Sequence, residues 1–166
     1  MSKLYNESSY ENSLIELFKN DLEYEYVCGF DVERDFYSPI YEDVLLESLY
    51  RLNKALPEIA IQEALYKIKN FENGELVEKN NIFMDYLQNG IPVKFFIDGE
   101  EQCSIVYLVD YKNINNNSFI IANQWTFIEN SERRPDIILF LNGLPVVLVE
   151  LKSPSREETD ASEAYN

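Results

Sequence analysis

Asp136, Glu150 and Lys152 are the residues whose types and spacing could do chemistry. They lie in the stretch RRPDIILFLNGLPVVLVELKSP, where two apolar runs flank Asn142-Gly143. An Asn-Gly pair between apolar runs is a strong hairpin signal. A hairpin turning there sets Asp136, at the start of its first strand, opposite roughly Val149 or Glu150. Strand side chains alternate between faces. Val146, Leu148, Glu150 and Lys152 therefore share one face, and Val147, Val149 and Leu151 share the other. Two charges interrupting an apolar strand on one side need compensation, because an unpaired buried charge costs several kcal/mol. Two carboxylates and a lysine converging at one end of a hairpin make a site for a hard cation. Mg2+ takes oxygen ligands, keeps several waters, and is commonly held by one or two carboxylates plus substrate phosphate. Such an ion polarises a scissile phosphate and lowers the pKa of a water. A lysine beside it orients that water or stabilises developing charge. The chemistry is phosphodiester hydrolysis. The competing reading is a salt-bridged strand end, with Glu150 paired to Lys152 and Asp136 to Arg133 or Arg134.

The elements that must position these residues follow from periodicity. Over 8–22, Leu14, Ile15, Phe18 and Leu22 fall on one helical stripe. A second helix spans 40–53 after Pro39, with Leu45, Leu49 and Leu52 on one face. Pro57 suits the first turn of a third, whose stripe is Ile61, Leu65 and Ile68. A fourth runs from about Leu76 to Leu87 and is stopped by Asn89-Gly90. Beyond Gly90 the runs become short, β-branched and aromatic: Val93–Ile97, Ser104–Asp110, Ser118–Ala122, Asp136–Leu141 and Pro145–Lys152. Asn113–Asn117 reads as a polar loop, and the tail from Ser155 is helix-prone. The expected order is helices first, then a sheet of mainly antiparallel hairpins, then a last helix.

The chain has 166 residues, the size of one domain able to bury a real core. Thirty acidic residues against fourteen basic ones give a net charge of −16, and there is no histidine. Histidine catalysis and histidine metal ligation are excluded. A free-standing nucleic-acid binder carries a basic footprint, so any role on DNA must borrow positive charge from a metal ion, a local patch or another protein. Two cysteines, Cys28 and Cys103, exclude a disulfide scaffold and read as buried small hydrophobes. No apolar run approaches a membrane span, and the polar N-terminus lacks a signal core. The expected compartment is the cytoplasm.

Pro135-Asp136 followed by Glu150-Leu151-Lys152 resembles the PD-(D/E)xK nuclease motif. The longer string NQWTFIENSERRPDIILFLNGLPVVLVELKSPS is similar to the N-terminal domain of the restriction subunit of type I restriction enzymes, most sharply in RPDI, the NGLP turn and the ELK strand. The resemblance extends loosely to 8–30, a helix followed by an EYV-type strand, and to the Asn117–Gln124 strand. It implies a restriction-endonuclease-like α/β fold, a central mixed β-sheet flanked by α-helices, with residues 1–166 forming a single nuclease domain. It implies Mg2+-dependent cleavage of double-stranded DNA. By position, Asp136 and Glu150 match the family's metal-binding acids, Lys152 its catalytic lysine, and the backbone carbonyl of Leu151 a further metal ligand. Whole subunits of this kind also carry an ATP-driven DNA translocase and work with methyltransferase and specificity subunits. No G-x-x-x-x-G-K-[ST] loop occurs here, so the ATP site is expected outside this chain, which reads as the N-terminal fragment of a larger motor subunit. Relatives place Q-x-x-x-Y on the helix after ExK. Tyr165 is not that tyrosine, because position 161 is Ala.

Glu11 falls within the apolar stripe of the first helix. Ser8-x-x-Glu11 has the form of a capping box, while a first-helix glutamate in nuclease folds of this kind often reaches the metal site. Arg133 and Arg134 are placed either to contact a phosphate or to pair with Glu129 or Glu132. Three functions stay open: the restriction-subunit nuclease, another PD-(D/E)xK nuclease of repair or mobile-element type, and a non-catalytic interaction module of that fold.

Overall fold

A computed structural model describes residues 7–71 and 74–152. In chain order the elements are α1 (Glu7–Asn20), β1 (Glu25–Cys28), α2 (Glu42–Leu52), α3 (Glu58–Lys69), α4 (Leu76–Asn89), β2 (Ile91–Ile97), β3 (Glu100–Val106), β4 (Phe119–Asn123), β5 (Phe127–Ile128), β6 (Glu132–Arg133), β7 (Ile137–Leu141) and β8 (Leu144–Val149). Short 3-10 turns cover Gly29–Asp31 and Ile114–Asn116. The chain divides into two compact units. The first joins Met1–Tyr41 to Phe119–Asn166, and the second is Glu42–Ser118. Among the described residues no helix is long and apolar enough to cross a membrane.

The first unit is built on a four-stranded mixed sheet in the order β1-β4-β7-β8. β1 runs parallel to β4, and β7 is antiparallel to both β4 and β8. β7 is IILFL, a run without polar interruption, and four of its five residues are buried, as expected of a strand covered on both faces. On one side Ile15 of α1 packs with Ile121, Ile137 and Leu139, joined by Leu14, Phe18, Tyr24 and Val149. Leu22 does not belong to this stripe. α1 stops at Asn20, Glu23 takes a left-handed φ of 58°, and Leu22 is left 53% exposed. That turn brings Tyr24 against Phe18, with ring centroids 4.9 Å apart. Trp125, fully buried just after β4, packs against Phe140 and Tyr41 at 4.7 and 5.0 Å.

The second unit packs α2 and α3 with the β2–β3 hairpin. Leu45 and Leu49 of α2, Ala60, Ile61, Ala64 and Ile68 of α3, and the alternate residues Ile91, Val93 and Phe95 of β2 are all buried. Pro57 is the cap before α3 rather than its first helical residue, and its carbonyl accepts from the Ala60 and Ile61 amides. α4 opens with a capping box between Glu75 and Glu78 and ends where Gly90 adopts φ 82°. Asn53 is buried at the heart of this unit. Its amide donates to the Leu49 and Tyr107 carbonyls, and its oxygen accepts from the Tyr107 N–H. In the expected polar loop, Asp110 accepts from the amides of Lys112 and Asn113 and from the Asn116 side chain.

The expected single sheet of hairpins is corrected here: β2 and β3 form a two-stranded sheet of their own, as do β5 and β6. β3 begins at Glu100 rather than Ser104. Asp98 and Gly99, both with positive φ, make a two-residue turn that starts pairing at once. The tail from Ser155, including Tyr165, lies outside the described residues.

Candidate active site

The β7–β8 hairpin turns at Asn142-Gly143, whose φ values of 51° and 82° are those of a two-residue type I′ turn. Ile137 pairs with Val149, Ile138 with Leu148 and Leu139 with Val147. A bulge then shifts the register so that Phe140 meets Pro145. Asp136 and Glu150 are the next residues on each strand, and they face one another across the open end of the hairpin. They project away from the side on which Ile137 and Val149 meet α1. Asp136 is half-buried, and its Oδ2 accepts the Leu151 N–H at 2.6 Å. Its carboxylate is thereby tied to the backbone of the Glu150-Leu151-Lys152 triplet. Glu150 and Lys152 are exposed, and Leu151 is half-buried. Lys152 makes no ion pair among the described residues, nor do Arg133 and Arg134. Asp136 is therefore held by a backbone amide, not by the arginine expected in the salt-bridged reading.

Two carboxylates and a backbone carbonyl are all oxygen donors, a set suited to Mg2+ and poor for softer metals. Among the described residues no group of three or more His, Cys, Asp or Glu gathers closely enough to hold a metal. Any ion here would rely on two side chains and the Leu151 carbonyl, with water and phosphate completing its shell.

Glu11 does not cap its helix. α1 begins at Glu7, so Ser8 lies within it, and Glu11 Oε1 accepts from Asn123 Nδ2 at 2.7 Å. Asn123 ends β4 directly opposite Ile137, one residue from Asp136. Its Oδ1 accepts from the Tyr26 hydroxyl at 3.0 Å. Burial holds that hydroxyl above the ordinary tyrosine range, and the nearby Cys28, Glu11 and Asp31 push the same way. Neither Asn123 nor Tyr26 was singled out by type or spacing, although Asn123 opens the string NQWTF and Tyr26 lies in the EYV-type strand, both of which carry the family resemblance. Cys28 is half-buried and Cys103 exposed, so neither is the fully buried small hydrophobe expected.

Arg34 was also missed. Its guanidinium lies 4.0 Å from the Trp125 ring centroid and 4.7 Å from that of Phe36, and it donates to the Thr126 carbonyl. Burial lowers its pKa. The Ile128 N–H donates to the Phe36 carbonyl at 2.7 Å. Together these contacts fasten the segment after β1 to the β5–β6 hairpin that leads into Pro135-Asp136.

A family described as "Type I restriction enzyme R protein N terminus" matches residues 4–166. The chain is 33% identical over 175 residues to a putative type I restriction enzyme MjaIXP endonuclease subunit of Methanocaldococcus jannaschii, covering 99% of this chain and 17% of that protein. It is 36% identical over 134 residues to the type I restriction enzyme HindI endonuclease subunit of Haemophilus influenzae, covering 80% of this chain and 13% of that one. The chain thus spans about one-sixth or less of the length of these relatives. With the family matched from residue 4 to residue 166, the chain belongs to the type I restriction enzyme R protein N-terminal family.

Proposed function

We propose that this region is the DNA-cleaving domain of a type I restriction subunit, hydrolysing a phosphodiester of duplex DNA with Mg2+ held by Asp136, Glu150 and the Leu151 carbonyl. The observation that carries the reading is the opposition of Asp136 and Glu150 across the hairpin end, with Asp136 bonded to the Leu151 amide. That bond occupies Oδ2 and orients the remaining carboxylate oxygen. Mg2+ supplies Lewis acidity to the phosphate and lowers the pKa of water. Lys152, on the triplet that Asp136 anchors, orients the attacking water and offsets the charge that builds on the phosphate as the new P–O bond forms and an ester P–O bond breaks. ATP-driven translocation and assembly with methyltransferase and specificity subunits belong to the whole protein, acting in the cytoplasm. The test is cleavage of target-bearing plasmid by the assembled full-length enzyme. Lys152→Ala should abolish Mg2+-dependent cutting. Cutting at the wild-type rate would end the reading.

A further inference from the structure

We propose that Arg133 and Arg134 each contact a backbone phosphate of the DNA beside the one that is cut. This inference rests on the nuclease reading of Asp136, Glu150 and Lys152. Arg133 ends β6, Arg134 follows, and only Pro135 separates them from Asp136. Pro135 is buried and its ring fixes its own φ, while the residue before a proline is held extended. The two side chains therefore leave an extended backbone at neighbouring, fixed points beside Asp136, one on each face of it.

Both arginines are exposed, and neither makes an ion pair among the described residues, although Glu129 and Glu132 lie in the same hairpin. In a chain of net charge −16, two adjacent cations left without a carboxylate stand out. The hairpin that presents them has strands of two residues each, too short to be stable alone. It is braced from outside by the Ile128–Phe36 backbone bond and by Arg34, which donates to the Thr126 carbonyl and stacks on the buried Trp125. A braced support presenting two adjacent cations is suited to the anionic groups of a phosphate backbone. Guanidinium is planar and bonds phosphate oxygens in pairs, and a duplex offers a phosphate on either side of the scissile one.

The assembled full-length enzyme is compared with its Arg133→Ala/Arg134→Ala, Arg133→Lys/Arg134→Lys and Arg133→Glu/Arg134→Glu forms, with Asp136→Ala as control. Plasmid cleavage is followed from low to high salt, and thermal melts are run with and without Mg2+. The alanine pair should slow cleavage at least about 10-fold at physiological salt. Its dependence of log rate on log salt should be flatter by about two, roughly one per lost phosphate contact. The lysine pair should recover most of the rate, and the glutamate pair should cut at least about 100-fold more slowly. The Mg2+-induced rise in melting temperature should be unchanged in all three. An alanine pair cutting at the wild-type rate at every salt overturns the inference while leaving the nuclease reading intact. So does a lysine pair as slow as the alanine pair, or loss of the Mg2+ response, either of which would mark a structural role. Undiminished cleavage by Asp136→Ala would instead overturn the nuclease reading, and this inference with it.

Discussion

The two units use their charges differently. In the second, Lys67, Lys69, Lys94 and Arg51 each lie within 4.0 Å of a carboxylate, on Glu63, Glu42, Glu101 and Glu47. Such exposed pairs contribute about 0–1 kcal/mol each, but they leave those cations engaged. In the first, only Lys19 is paired among the described residues, to Glu16. Arg34 is stacked on aromatic rings, and Arg133, Arg134 and Lys152 flank the Asp136–Glu150 hairpin end without carboxylate partners among the described residues. Four of the seven cations of the second unit are thus paired, whereas among the described residues none of the three around the candidate site is. Stability of the second unit and chemistry of the first should therefore answer to different substitutions.

The largest expected effect is chemical. Glu150→Ala should cost at least about 1000-fold in plasmid cleavage by the assembled enzyme, the scale of losing a principal electrostatic contributor to a transition state. Its melting temperature without metal should stay near that of the wild type, because the residue is exposed. Next comes the core of the second unit. Ile61 is fully buried on α3, so Ile61→Ala should cost about 3 kcal/mol in denaturant melts, with the metal response of the first unit retained. Asn53→Ala should cost about 2 kcal/mol, because the Tyr107 N–H and carbonyl lose a buried partner. A loss below a few tenths of a kcal/mol would mean that water replaces the asparagine.

The smallest effects are titrations, and they separate the units by pH. Hydrogen bonds from the Asn113 amide and the Asn116 side chain hold the Asp110 carboxyl below its ordinary value of 3.8. Its stabilisation is present above that pH and lost as pH falls through the folded value, so Asp110→Ala should flatten the acid limb of stability below about pH 4. Tyr26 has the opposite sign. Its folded pKa is raised above 10.0, chiefly by burial. Its stabilisation is present below pH 10 and lost as pH rises through the folded value, and Tyr26→Phe should flatten the alkaline limb. Ultraviolet titration should show a late-ionising component in the wild type that is missing from Tyr26→Phe.

What the sequence revealed was local. Asn142-Gly143 marked the β7–β8 turn, but the register of that turn alone sets Asp136 opposite Val149; the bulge between Leu139 and Phe140, silent in the sequence, shifts the pairing and brings Asp136 opposite Glu150. The helices of the second unit followed from Leu45, Leu49, Ile61 and Ile68. Where polar residues occupied a strand, as at Glu100–Cys103 of β3, the apolar pattern was silent and only Asp98-Gly99 marked its start. Long-range contacts left no trace. Glu11 and Asn123 are 112 residues apart, and the capping-box spelling at Ser8 pointed elsewhere. Nor does any periodicity announce that 42–118 form a separate unit between β1 and β4, adjacent parallel strands of one sheet. Arg34 on Trp125 is of the same kind, a contact set by packing rather than by spacing.

The most direct test of the central claim is the thermal midpoint of the full-length protein, wild type, Asp136→Ala and Lys152→Ala, with and without Mg2+ or Mn2+. A ligand that binds only the folded state raises its stability by mass action. The wild type should melt higher with metal, Asp136→Ala should lose most of that rise, and Lys152→Ala should keep it while failing to cleave DNA. No metal response in the wild type, with both substitutions simply lowering the midpoint, would contradict the account and leave a salt-bridged strand end in its place.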